Sequence, residues 1–113
     1  MKLLVDKLEI RLPYYRGLCS LHQSQYTNGA IALQLISIPD GKPGNDFPEP
    51  VATCTVCLPE ASLESTEVII KSWSENEGMV LELQRHGVIS PIKRFISTGY
   101  VTATVHDLLK KLP

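Results

Sequence analysis

Residues 73–79, WSENEGM, hold the side chains best suited to chemistry. Glu75 and Glu77 form a close carboxylate pair of the kind used in general acid–base catalysis. However, Ser74 stands three residues before Glu77, which is the capping-box pattern of a helix start. We therefore predict that these carboxylates stabilise a helix and that neither is catalytic. If this corner binds a ligand or partner, the binding residues are Trp73, Glu75, Glu77 and Gly78.

The cysteines suggest a second kind of site, because Cys54 and Cys57 have the C-x-x-C spacing of zinc and redox centres. Residues three apart on a strand point to opposite faces, so the two thiols cannot share a metal or a disulfide unless the strand is broken there. No second C-x-x-C or histidine pair completes four ligands. We predict free thiols, no metal and no cofactor.

Other catalytic patterns are missing from the sequence. The three histidines, His22, His86 and His106, fall in unrelated contexts, and there is no G-x-S-x-G segment. The glycines of residues 41–44 lack the spacing of a phosphate-binding loop. An enzyme would need a site that the fold assembles from distant residues.

The secondary-structure elements that position these residues are predicted to form an α+β domain with a mostly antiparallel sheet of about five to seven strands. Asn28-Gly29 predicts a type I′ hairpin turn. Residues 39–50 hold four prolines and two glycines and predict a long loop between strands of one sheet. Strands are expected over 2–11, 15–26, 30–38, 51–58 and 67–72, with one or two more in 92–105. The main helix is expected over 74–86, and a short C-terminal helix over 107–112.

Composition and charge narrow the class of protein. The 113 residues suit one domain, 1–113, and no apolar run is long enough for a membrane span or the core of a signal peptide. Residues 40–84 carry nine acidic and two basic side chains. This balance, with few adjacent cations, argues against direct nucleic-acid binding. We expect a cytoplasmic protein.

Several segments resemble a family of small bacterial proteins of unknown function, often carried on plasmids, prophages and other mobile elements. The likeness covers about residues 28–105 and is most specific in the WSENEG segment. The segments that carry it are 28–29 (NG), 32–35 (ALQL), 50–53 (PVAT), 56–59 (VCLP), 71–78 (KSWSENEG), 87–89 (GVI), Pro91 and 99–101 (GYV). The resemblance implies no established activity. It implies an accessory protein that binds a host or phage component, including one that acts against host defence.

The sequence is therefore compatible with three functions. The first is a non-catalytic binding module that acts through a protein interface, with an unknown protein partner or a second copy in a homodimer. The second is a small-molecule or nucleotide-binding protein with a pocket beside Trp73, Glu75 and Gly78. The third is an enzyme whose site the sequence does not reveal.

Overall fold

The computed structural model describes residues 1–113 and shows an α+β fold with antiparallel strands. The elements are β1 (Lys2–Leu12), β2 (Tyr15–Gln25), β3 (Ile31–Ser37), β4 (Pro50–Thr53), β5 (Glu67–Ile70), a 3-10 turn (Ser74–Asn76), α1 (Met79–Arg85), β6 (Arg94–Ser97) and β7 (Thr102–Asp107). The α+β class is confirmed. The strands form two sheets, ordered β1-β2-β3-β4 and β5-β7-β6, where one sheet was expected.

The predicted C-terminal helix is wrong. Residues 102–107 are strand β7, and Leu108 forms a further antiparallel bridge with Ile89. Leu109 continues this contact, since its N–H donates to the Val88 carbonyl at 2.8 Å. Pairing with the 88–89 segment therefore satisfies the backbone groups that a helix would have satisfied internally.

The hairpin between β2 and β3 turns at the predicted place with a different geometry. Gly29 has a φ of 86°, whereas Asn28 does not have a positive φ, so the type I′ prediction is wrong. The Tyr26 N–H donates to the Ala30 carbonyl at 2.8 Å, which closes a three-residue loop. In such loops only the last position needs the left-handed conformation, and glycine supplies it.

The segment 51–58 leaves one sheet and joins the other, so the prediction of one continuous strand is wrong. The Cys54 N–H donates to the Leu33 carbonyl in the first sheet at 2.8 Å. One residue later Thr55 forms a bridge with Ile70 of β5 in the second sheet. Cys54 and Thr55 are both buried, which a regular alternating strand with one solvated face does not permit.

The core lies in two layers on the two faces of the second sheet. The larger cluster fills the space between the first sheet, helix α1 and one face of β5, and includes Leu21, Leu35, Ile70 and Leu83. The smaller cluster, of Ile69, Ala103 and Val105, covers the opposite face and is closed by Trp73 and the 56–63 segment. Trp73 is half-buried against this smaller cluster.

Helix α1 closes part of the outer edge of β1 with its side chains. The buried Glu82 carboxylate accepts a hydrogen bond from the Arg11 N–H, and Arg85 Nη2 donates to the Glu9 carbonyl at 2.8 Å. His86 Nε2 lies 2.6 Å from the same carbonyl oxygen. The helix thereby takes the place of a neighbouring strand at this edge. It has seven residues, and the structure contains no helix long and apolar enough to span a membrane.

Candidate functional site

The corner that contains WSENEG is built from two tight bends and not from a capping box. Ser74 has a φ of 56° and Gly78 a φ of 87°, and neither helical segment has a side-chain cap. The Glu77 N–H bonds the Ser74 backbone carbonyl at 3.2 Å, not its hydroxyl. The main helix therefore begins at Met79 and not at residue 74. The capping prediction is wrong because the left-handed residue at position 74 turns the serine away from the helix axis.

The predicted binding residues do not converge on one cavity. Trp73 is half-buried against the smaller core cluster, whereas Glu75 and Glu77 are exposed. Glu75 binds Lys71 Nζ at 2.6 Å, and this hydrogen bond lowers the pKa of the Glu75 carboxyl. Gly78 precedes the helix in a left-handed conformation that other residues disfavour. This conformation explains the glycine, since a Cβ at this position would make only an ordinary contact with Leu12.

Asn76 is the residue of this corner that sequence reasoning missed. Its side chain is buried, with Nδ2 donating to the Thr53 carbonyl at 2.7 Å and to the Lys71 carbonyl at 3.2 Å. Thr53 ends β4 and Lys71 follows β5, so one amide links the two sheets. A polar residue between two exposed glutamates carries no hydrophobic or motif signal that would have revealed its burial.

The bend at Ser74 leads to a stability prediction. A non-glycine residue at positive φ costs about 1 kcal/mol, and glycine removes that cost. The gain is partly offset because glycine makes the unfolded chain more flexible. We expect Ser74→Gly to raise the free energy of unfolding by a few tenths of a kcal/mol up to about 1 kcal/mol, measured by urea denaturation. Ser72→Gly, two residues earlier at a negative φ, should destabilise, and a loss of stability in both variants would contradict the strain.

The C-x-x-C pair forms neither a metal site nor a disulfide. The strand is broken at Cys54, which is the condition under which the two thiols could have met. However, Cys54 is fully buried and Cys57 is half-buried, and both are free thiols. Burial raises the pKa of the Cys54 thiol to about 12, which keeps it protonated. The structure has no group of three or more His, Cys, Asp or Glu side chains placed to hold a metal.

Two histidines are hydrogen-bonded to hydroxyl groups. Ser20 Oγ lies 2.9 Å from His22 Nε2 on the outer face of the first sheet, but no carboxylate orients the other ring nitrogen. His106 is fully buried, with Nδ1 2.8 Å from the Ser90 carbonyl and Nε2 2.7 Å from Thr104 Oγ1. Burial lowers the pKa of His106, so the ring is neutral and donates from Nδ1. The arrangement at His106 joins β7 to the 88–91 segment and offers no reacting position.

The largest cavity, of about 700 Å³, lies between the β1–β2 turn and the proline-rich loop. The loop is fixed to β3 at its end, since the Ser37 N–H donates to the Glu49 carbonyl at 2.8 Å and the Glu49 N–H donates to Ser37 Oγ at 3.0 Å. Charges of both signs line the cavity, from Arg16, Lys42, Asp40 and Glu49. This mixture specifies no single ligand charge.

The outer edge of β6 has backbone groups without a hydrogen-bond partner in the chain and exposed apolar side chains beside them. Thr98 N–H bonds inward to the Val101 carbonyl at 2.9 Å. Because inward and outward groups alternate along an antiparallel strand, the N–H and C=O groups of Phe95 and Ser97 point outward. The Phe95 side chain is 67% exposed. A cavity of about 550 Å³ lies alongside, lined by Ile96 and the 58–62 segment.

The other sheet edges are covered in part. Helix α1 covers β1 at Glu9 and Arg11, and the remainder of β1 has two register shifts and the charged residues Asp6 and Lys7. Asn76 binds the end of β4, and Thr55 bridges to β5. Bulges, charges and covering elements all protect an edge from pairing. Strand β6 has charged residues only at its Lys93–Arg94 end, and no other element pairs with the outer side of residues 95–97.

Comparison of the chain with protein-family models, with curated proteins and with solved structures gave no match. The resemblance to small proteins of mobile elements stays a prediction. The geometry of the chain itself therefore supplies the argument for function.

Proposed function

We propose that the chain is a non-catalytic binding module of the cytoplasm that acts through a protein interface at the edge of β6. The observation that carries the proposal is the contrast between the unpaired outer side of residues 95–97 and the edges of β1 and β5, which helix α1 and residues 54–56 bind. An open edge binds an extended segment of another chain by main-chain hydrogen bonds, and the side chains beside it select the segment. Phe95 and the cavity beside Ile96, which polar and apolar residues line together, would provide that selection on the two faces of the sheet.

The charges at the edge favour association. Edge strands are commonly protected by lysines whose charge repels a second strand. Here Arg94 Nη1 lies 2.7 Å from the buried Glu67 carboxylate, and Lys93 Nζ lies 2.8 Å from Glu67 and 3.1 Å from Asp107, so two carboxylates balance the two cations within the chain. The residues left to meet a partner, Phe95 and Ser97, are uncharged.

The biological setting of the proposal follows the resemblance described above. A module of this kind would serve as an accessory protein of a mobile element and bind a host or phage component, including a component of host defence. Binding of a small molecule or nucleotide is a second proposal. The cavity beside the proline-rich loop is a better place for such a ligand than the corner at Trp73, where the predicted residues form no common cavity. Thermal-shift measurements with a metabolite panel test this proposal.

The proposed interface predicts that Phe95→Lys abolishes protein capture. Tagged protein would be expressed in a bacterial host with an untagged copy, and the proteins that copurify would be quantified by mass spectrometry. The new charge and the lost aromatic contact should reduce capture at least tenfold, because losing one such anchor costs more than about 1.4 kcal/mol.

The matched control is Leu81→Lys, which places the same charge on an exposed leucine of helix α1. It should leave capture unchanged. Equal capture by both variants, or no captured protein with the parent chain, would contradict an interface at β6.

A further inference from the structure

We propose that the edge of β6 is occupied by β6 of a second copy, which gives a two-fold symmetric dimer with one continuous six-stranded sheet. The inference rests on the proposed function, since it names the chain that fills the open edge. It is argued from the number and direction of the free backbone groups, from the neutralised charges and from the exposed apolar residues around the strand.

The backbone selects one register for this dimer. Only Phe95 and Ser97 direct both N–H and C=O groups outward, because Lys93 N–H is drawn inward to the Val105 carbonyl at 2.8 Å. That carbonyl lies opposite Arg94 in the ladder, so Lys93 and Arg94 both face Val105, as in a β-bulge. The bulge ends the regular edge at one side, and the turn after Thr98 ends it at the other.

Antiparallel pairing of Phe95 with Ser97 of the partner copy satisfies every outward group of both strands. It forms four main-chain hydrogen bonds and places Ile96 on the two-fold axis. Pairing Phe95 with its own symmetry mate would form only two, because Ser97 would then face the bulged Lys93. Hydrogen-bond satisfaction therefore favours the register centred on Ile96.

The same register brings together the exposed apolar residues of this region. Ile92 and Tyr100, with exposed fractions of 43% and 106%, lie just outside the two ends of the paired segment. The two Phe95 rings become diagonal neighbours across the axis, within reach of each other. On the opposite face the apolar wall formed by Ile96, Leu58 and Ala61 meets its own symmetry mate. A two-fold contact is closed, so the dimer leaves no further open edge at β6, and a host component would bind there only by replacing the second copy.

The first test measures self-association of the purified chain by sedimentation equilibrium and light scattering. The parent chain should form dimers, and Ser97→Pro should weaken dimerisation roughly 30-fold, because it removes two symmetric hydrogen bonds. Proline is tolerated at this position within the monomer because the Ser97 N–H points outward. Leu81→Lys is the control and should dimerise as the parent chain does.

The second test reads the register through disulfide formation in a Cys57→Ser background, which removes the half-buried thiol. Residues on the axis face each other as a non-hydrogen-bonded pair with Cα atoms about 4.5 Å apart, a separation that a disulfide spans. Ile96→Cys should therefore cross-link to itself under mild oxidation, whereas Ser97→Cys should not, because its neighbour in the partner copy is Phe95.

Three outcomes would overturn the dimer. These are a parent chain that stays monomeric, a dimer that is unaffected by Ser97→Pro, and cross-linking at Ser97→Cys in place of Ile96→Cys. A monomer that still captures a host protein through Phe95 would overturn the dimer and leave the proposed function standing. A monomer whose capture does not depend on Phe95 would overturn both.

Discussion

Replacing Glu67 by Gln should lower the free energy of unfolding by about 2 kcal/mol at pH 7. The carboxylate accepts hydrogen bonds from Arg94 and Lys93 and from the Glu64 N–H, and these lower its pKa from 4.5 to about 2. A shift of that size corresponds to roughly 3 kcal/mol at 1.36 kcal/mol per pH unit. The exposed Arg94 and Lys93 side chains reduce this to about 2 kcal/mol because water screens them.

The shielding of Glu67 comes from the side chains that lie over it and not from depth in the protein. Its side chain is 1% exposed, yet the cations that cover it are 32% and 42% exposed. Such a carboxylate is dry only while the two cations stay in place. We therefore expect the loss to fall below the 3–5 kcal/mol typical of a broken ion pair in a deep core, at about 2 kcal/mol.

The pH dependence follows from the direction of the Glu67 shift. A carboxyl whose pKa is lower in the folded chain contributes its full stability above the unfolded pKa near 4.5 and loses it as the pH falls towards 2. The difference between the parent chain and Glu67→Gln should thus be constant from pH 6 to 7 and shrink towards zero near pH 2. Urea denaturation at a series of pH values measures it.

Glu64→Gln is the matched control for this experiment. Glu64 Oε2 lies 3.8 Å from the same Lys93 Nζ, but its side chain is 77% exposed. We expect a change of less than about 0.5 kcal/mol, as for exposed ion pairs. Equal losses in Glu64→Gln and Glu67→Gln, or a Glu67→Gln loss that persists at pH 2, would contradict the assigned role of Glu67.

Replacing Asn76 by Asp should lower the free energy of unfolding by about 3 kcal/mol at pH 7. The buried amide donates to the Thr53 and Lys71 carbonyls, whereas an ionised carboxylate can only accept and would repel both oxygens. The two carbonyls would also lose the donor that binds them both. Because these hydrogen bonds link β4 to the segment after β5, the two sheets should separate more readily.

Denaturation of Asn76→Asp can be followed by the fluorescence of Trp73, the only tryptophan, which lies three residues away. Lowering the pH to 4 should restore part of the lost stability, since a protonated carboxyl donates one hydrogen bond. Glu77→Gln is the reciprocal exchange at an exposed neighbour and should change stability by less than about 0.5 kcal/mol. If Asn76→Asp is as stable as Glu77→Gln, the amide does not hold this corner.

Local patterns in the sequence determined much of the framework. Runs of β-branched and apolar residues located β1, β2, β3 and β5 to within a few residues but left one or two strands open for the region of β6 and β7, and the density of proline and glycine located the 39–50 loop. Asn28-Gly29 located the hairpin but not its turn type, since glycine at one left-handed position suffices for a three-residue loop. These features depend on neighbours along the chain.

Local patterns failed where contacts distant in sequence compete with them. The C-terminal segment has helix-forming residues, yet pairing with residues 88–89 keeps it extended. Ser74 and Glu77 have the spacing of a cap, yet the buried Asn76 amide turns the same segment towards β4 and places Ser74 in a left-handed conformation. The tertiary contact wins because a buried Asn76 amide without acceptors would cost more than a missing cap.

The sequence by itself determined that this chain forms an antiparallel α+β protein, with a strand and a helix on either side of Trp73 and a long loop after β3. Only the tertiary structure decided that Cys54 and Thr55 pass between two sheets, that Asn76 joins those sheets, and that the edge of β6 stays open. Whether an edge is covered depends on which elements meet in space. Local residue types and spacing do not predict these contacts, because they depend on how the whole chain packs.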